Sequence, residues 1–172
     1  MIFIGIDNGL SGGIAFVDDK EHLIGAEVMP VIKGKKTEYD INGIIRQIKL
    51  IQSIDEDVIA ILEQAHVRPI SGKRACFSTG LCYGAMQGIL GALGISYIIV
   101  APNQWMKELL VGSDKTDKKG SIKYCLRKYP NEDFTATEKS KKIHDGKTDA
   151  VMLALWGVRN IGTKNNSISK ER

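Results

Sequence analysis

Five consecutive apolar residues, Val58-Ile59-Ala60-Ile61-Leu62, constrain this chain more than any other stretch. The run is too short for a helix core and apolar at every position, which makes it a strand buried on both faces. Such a strand needs helices above and below it, so the chain must build a layered α/β domain. The residues before it supply more sheet. Met1–Asp7, Gly13–Asp18 and His22–Met29 read as three strands separated by turns at Asn8–Gly13 and Asp18–Glu21, an antiparallel meander. Pro30–Tyr39 reads as a loop. Asp40 is a helix N-cap, and Ile41, Ile44, Ile45, Ile48 and Ile51 line one side of a helix to about Ser53. After the central strand come a loop at 65–75, a helix over Cys76–Leu93 and a second buried strand at Ile95–Val100. Pro102 opens a short helix to Leu110. A turn at Val111–Asp117, a basic amphipathic helix over Lys118–Tyr129 and a polar loop at Asn131–Lys142 lead to a last helix, His144–Asn160. The expectation is a mixed five-stranded sheet, three antiparallel strands then parallel β/α units, flanked by helices. It forms one domain over residues 1–162, with a disordered polar tail at 163–172.

Composition excludes several classes. At 172 residues the chain is one domain's worth. No apolar run approaches the roughly 20 residues of a membrane span. The start, MIFIGIDNGL, has no basic stretch and meets an acid at Asp7, a strand pattern rather than a secretion signal. Cys76, Cys82 and Cys125 match no metal-binding spacing, which points to a reducing, cytoplasmic setting. The net charge is +4, and residues 115–147 alone hold ten Lys or Arg against five acids. A localised basic zone suits a polyanionic partner, although a solvated lysine-rich surface has the same composition.

Four acids stand where an acid is locally unwelcome. Asp7 ends an apolar strand, Glu63 ends the central one, and Asp145 and Asp149 form a like-charged i, i+4 pair on the last helix. Open α/β sheets place their sites at the carboxyl ends of neighbouring strands. If the last helix crosses that edge, four carboxylates converge there, and they repel unless a cation sits among them. All-oxygen ligands suit Mg²⁺, with Mn²⁺ as a substitute. Two such ions could activate water and stabilise the leaving oxygen of a phosphodiester. Each acid also has a bland explanation: a turn aspartate, a Glu63–Arg68 ion pair, and aspartates favoured near a helix N-terminus.

The segments FIGIDNGLSGGIAFVD, VIAILEQ, GSDKTDKKGSIKYCLRKYP and HDGKTDAVMLALWG, in this order, resemble the RuvC family of Holliday-junction resolvases. The last is closest to the bacteriophage and poxvirus members. The resemblance covers about residues 1–160. It implies an RNase H-like fold and a homodimer on branched DNA, especially four-way junctions, making paired symmetric nicks with divalent metal. It also implies that Asp7, Glu63, Asp145 and Asp149 are catalytic and bind metal, with His144 an alternative to Asp145 as the outer ligand. Lys115, Lys118 or Lys119 takes the place of a lysine near the scissile phosphate, Lys118 being the assignment made here. Bacterial members carry a stacking phenylalanine three residues after the glutamate, and His66 stands there in this chain. His66, Arg68, Lys73, Arg74, Lys115 and Lys119 are the expected DNA contacts.

Other readings compete. A broader debranching endonuclease acting on flaps and three-way forks fits the same residues. The turn Gly5-Ile6-Asp7-Asn8-Gly9 with Ser11-Gly12-Gly13 also resembles the phosphate loop of actin-like and sugar-kinase-like nucleotide-binding proteins, which need two such domains around a cleft, usually more than double this length. A DNA-binding module without catalysis is the third. Trp105 and Trp156 read as core, and the stripe Gly80, Gly84, Gly88 and Gly91 reads either as a dimer contact or as packing on the chain's own sheet.

Overall fold

Residues 1–66, 72–112, 119–137 and 139–162 are described by the computed structural model. The strands are β1 (Ile2–Asp7), β2 (Gly13–Asp18), β3 (Leu23–Val28), β6 (Val58–Glu63) and β7 (Ser96–Val100) in one sheet, with β4 (Val31–Lys33) and β5 (Thr37–Tyr39) in a separate hairpin. The helices are α1 (Ile41–Ile54), α2 (Lys73–Ala92), α3 (Pro102–Leu109), α4 (Gly120–Lys128) and α5 (Asp145–Gly157), the last running into a π turn at Val158–Gly162. The five-stranded sheet has the order β3-β2-β1-β6-β7. β1 pairs antiparallel with β2 and β2 with β3, while β1–β6 and β6–β7 are parallel. This is the mixed sheet expected from the sequence.

Alternation along the strands sorts side chains into two cores. Ile2, Ile4 and Ile6 of β1, with Ile14, Phe16, Ala60 and Leu62, meet α1 and α2 on one face. Phe3, Ala15, Val17 and Ile61 meet α3, α4 and α5 on the other. α1 starts where the capping residue requires: the Asp40 carboxylate accepts from the Gly43 N–H at 2.9 Å. α5 is buried almost throughout, and it fits only because glycines admit it. A Cβ on Gly5 would stand 1.9 Å from the Ala150 carbonyl oxygen, and one on Gly13 would stand 2.5 Å from that of Gly146. The backbones of β1, β2 and α5 therefore touch.

Several expectations need correction. Pro30–Tyr39 is not a plain loop, because β4 and β5 pair there with Val31 opposite Tyr39. β7 is an edge strand with Ser96 and Ile99 exposed, not a buried one. α2 begins at Lys73, three residues early, and α4 begins at Gly120 rather than Lys118. Lys147, counted with the basic surface, is buried, and its ammonium donates to the Asp133 and Thr135 carbonyls at 2.9 and 3.2 Å. Trp105 and Trp156 lie in the core as expected. The expected tail at 163–172 lies outside the described residues.

Candidate active site

β1 and β6 are parallel neighbours, so their final residues, Asp7 and Glu63, leave the sheet at the same edge. α5 crosses that edge with its first turn against the Gly12–Gly13 backbone, where a Cβ on Gly146 would stand 2.6 Å from Gly12. This contact brings Asp145 and Asp149 to the strand ends. The Asp7 carboxyl is raised well above the usual carboxylate range, first by burial and then by the charges of Glu63, Asp149 and Asp145. It also lies in hydrogen-bonding reach of the Glu63 carboxyl. Burial likewise raises Asp149, to about 6, with Glu63 and Asp145 adding to the effect and a hydrogen bond from Ser121 opposing it. The four acids thus form one electrostatic unit, with Asp145 at its exposed side.

Two neighbours that sequence reading missed hold these acids. The Trp105 indole N–H, on α3, donates to Glu63 Oε1 at 3.0 Å. Ser121, buried on α4, donates to Asp149. A serine on the inner face of an otherwise basic helix was the available signal for the second. The first had no local signal, because residues 63 and 105 meet only in the folded sheet.

Among the described residues, no three His, Cys, Asp or Glu side chains are grouped closely enough to hold an ion as they stand. The donor chemistry nonetheless fits a hard divalent cation: the ligands are all carboxylate oxygens, and the strongest influences on Asp7 are burial and other acids. Asp7, Glu63 and Asp149 would hold it, with Asp145 or His144 beside them. The His144 Nδ1 atom is buried and has no hydrogen-bond partner among the described residues.

The remaining candidates lie elsewhere. His66 is exposed on a cleft with Gln64, Ala101, Pro102 and Asn103. Lys73 and Arg74 are exposed in the first turn of α2, and Lys119 is exposed at the N-cap of α4. Arg68, Lys115 and Lys118 lie outside the described residues. Gly5, Gly12 and Gly13 of the phosphate-loop-like turn answer to packing: a Cβ on Gly12 would stand 2.0 Å from the Asp7 carbonyl oxygen, and Gly5 and Gly13 abut α5, whereas Gly9 takes a positive φ of 157° with no described atom near its Cβ position.

No protein-family model matches the chain, and no curated protein sequence matches it. Solved structures do. Thermus thermophilus RuvC in complex with Holliday junction substrate aligns over 90% of this chain and 91% of its own, at 18% identity and TM-score 0.64. A second Thermus thermophilus RuvC structure covers 90% and 92%, at 17% identity and TM-score 0.53. The Fowlpox virus resolvase, in complex with substrate Holliday junction DNA, covers 94% and 99%, at 16% identity and TM-score 0.45. With its mixed five-stranded sheet flanked by helices, this chain has the RuvC-type, RNase H-like fold.

Proposed function

We propose that this protein is a divalent-metal-dependent endonuclease that resolves four-way DNA junctions by paired symmetric nicks. One observation carries the reading: Asp7 is raised first by burial and then by the three other carboxylates, Glu63, Asp149 and Asp145, that β6 and α5 bring to it, an arrangement suited to a cation. The RuvC fold supports it, since the Thermus protein with that fold binds a Holliday junction. Bound Mg²⁺ ions, two per site, would generate a nucleophilic water near neutral pH and stabilise charge on the phosphate. Asp7, Glu63, Asp149 and Asp145 would be the ligands. Trp105 fixes the orientation of Glu63, and Ser121 that of Asp149. A lysine of the 115–119 segment would stabilise negative charge developing on the attacked phosphate. Two copies would associate through α2, so that each strand pair meets two sites.

The test is cleavage of labelled four-way, three-way, flap and linear duplex DNA by purified protein, with Mg²⁺ and with EDTA. Expected is Mg²⁺-dependent nicking of the four-way junction at symmetric positions, lost in Asp7→Asn and Glu63→Gln with DNA binding kept. Equal cutting of flaps and three-way forks would instead give the broader debranching activity. Nicking by Asp7→Asn within a few-fold of wild type would exclude the site.

A further inference from the structure

We infer that Tyr39 is a positioning residue for the active site: its hydroxyl holds the Asn8–Gly9 turn and, through that turn, the Asp7 carboxylate that would ligate the cation. The inference rests on the nuclease reading and adds to it a residue from the hairpin outside the main sheet.

Tyr39 is built as a strut. It ends β5 opposite Val31 of β4. The residue after it is fixed twice, since the Asp40 N–H donates to the Pro30 carbonyl at 3.0 Å and the Asp40 carboxylate caps α1. The ring lies in the core that also holds Ile6, Ile14 and Met86. A ring with two side-chain torsions, on a backbone clamped on both sides, presents its hydroxyl at one point. Phenylalanine would fill the same core, and burying a hydroxyl is unfavourable unless it is bonded. The partners of the hydroxyl therefore show what the tyrosine is for.

Those partners lead to Asp7. The hydroxyl donates to Asn8 Oδ1 at 2.9 Å. It also lies in hydrogen-bonding reach of the Gly9 N–H and of the Cys82 thiol on α2. Burial raises its pKa far above the ordinary range, so it keeps the proton it donates. Asn8 and Gly9 directly follow Asp7, and the turn they open is tight: Asp7 pairs with Gly13, and the Gly12 N–H donates to the Gly9 carbonyl at 3.0 Å. The far end of this turn is held by the Met29 N–H, which donates to the Gly12 carbonyl at 3.0 Å, and by α5. Tyr39 holds the near end.

The turn does not choose this arrangement for itself. Asn8 Nδ2 is buried and has no hydrogen-bond partner among the described residues. That is an unfavourable state, and an unrestrained asparagine leaves it by turning its amide to water. The bond from Tyr39 to the other end of the amide keeps it in place. Partners beyond the ligands themselves set metal affinity in this way, by fixing the orientation of the groups that bind.

The experiment titrates wild type, Tyr39→Phe, Asn8→Ala and the double variant with Mg²⁺ in a calorimeter. Tyr39→Phe is expected to weaken Mg²⁺ binding about tenfold, the lower end for an outer partner. Asn8→Ala should weaken it by a similar factor and the double variant no further, because both remove one linkage. Tyr97→Phe is the control. It removes a bond of the same kind, from the Tyr97 hydroxyl to Gln87 Oε1 at 3.2 Å, and Tyr97 pairs with Ala60, three residues short of Glu63. Its Mg²⁺ affinity should equal that of wild type. In EDTA, hydrogen exchange of the Gly9 amide should accelerate in Tyr39→Phe while that of Gly12 stays slow. Single-turnover nicking by Tyr39→Phe should fall at limiting Mg²⁺ and recover at high Mg²⁺, with junction affinity unchanged. Wild-type Mg²⁺ affinity in Tyr39→Phe and Asn8→Ala, even with a lower melting temperature, would make Tyr39 a structural residue only and leave the nuclease standing. An equal loss in Tyr97→Phe would overturn the inference too. If Tyr39→Phe does not fold, the Mg²⁺ affinity of Asn8→Ala decides alone. Wild-type protein that neither binds Mg²⁺ nor nicks a junction would remove both readings.

Discussion

Asp7 is costly to ionise when no cation is present. Burial and three neighbouring acids oppose its ionisation, and no side chain of opposite sign is among the strongest influences on it. An amide of the same shape relieves that repulsion. Asp7→Asn is therefore expected to melt several degrees higher than wild type in EDTA, and to lose both nicking and the stabilisation that Mg²⁺ gives wild type; differential scanning fluorimetry with and without Mg²⁺ checks this. A lower melting point in EDTA would mean that Asp7 is satisfied by the fold itself. The same physics sets a pH dependence. Asp7 and Asp149 have folded pKa values above their unfolded ones, Asp149 at about 6. The folded state then binds more protons, so metal-free stability rises as pH falls from 7 to 5, by about 1 kcal/mol from Asp149. Below about pH 4 the trend reverses, because Asp18, Glu21, Asp55 and Asp133 are held below their ordinary values by hydrogen bonds and ion pairs. Urea titrations in EDTA at pH 5, 6 and 7 read this directly, and the slope should vanish in saturating Mg²⁺. Trp105 tests the support of Glu63. Trp105→Phe keeps the aromatic bulk but removes the 3.0 Å bond to Oε1, so Mg²⁺ affinity should drop about ten- to a hundredfold. Calorimetric titration with Mg²⁺ separates this from a loss of fold.

At the scale of elements, the strands that build the site were legible in the sequence because their signals are local. β1, β2 and β3 are bounded by turn residues, and β6 is an apolar run closed by a charge. The acids at their ends were grouped by the rule that sites lie at the carboxyl ends of neighbouring strands, and the parallel pairing of β1 with β6 puts both at one edge. The β4–β5 hairpin was hidden because its strands are three residues long and carry lysine, glutamate and threonine at exposed positions. β7 read as buried because an apolar run does not reveal whether a further strand lies beyond it. The roles of Trp105, Ser121 and Lys147 depend on partners 42, 28 and 12–14 residues away, and no spacing rule reports them. The position of α5 was inferred only from the chemistry its acids would perform, whereas the packing that enforces it lies in Gly5, Gly12, Gly13 and Gly146. Gly5→Ala puts a methyl 1.9 Å from backbone of α5. The helix must move off β1, carrying Asp145 and Asp149 with it. The expected result is a loss of about 3 kcal/mol or more by denaturant titration, with nicking reduced beyond what the unfolded fraction explains. A stable, active Gly5→Ala protein would show that α5 is not held by this contact.

At the scale of the whole molecule, the unexplained surface is α2. Phe77 and Leu81 are 72% and 62% exposed, large apolar side chains facing water on an ordered helix. Gly84, Gly88 and Gly91 continue the same line with spacings of three, four and three residues, the seam repeat of paired helices. Among the described residues, no atom lies within 4 Å of a Cβ built at each of these glycines, so the stripe does not pack on the chain's own sheet. Each glycine costs a helix about 0.8–1.0 kcal/mol relative to alanine, a cost that close approach of a second backbone would offset. Two copies joined there would bring two active sites to one junction, as two symmetric nicks require. Gly84→Leu separates assembly from folding, because its side chain enters open space within the monomer and improves helix propensity. It should yield a folded monomer by sedimentation equilibrium, melting no lower than wild type at concentrations where wild type is dissociated. On a supercoiled plasmid bearing a cruciform, wild type should give linear product from two nicks before dissociating, whereas Gly84→Leu should accumulate nicked circles. Wild-type protein that stays monomeric at micromolar concentration, with and without junction DNA, would exclude α2 as a dimer seam.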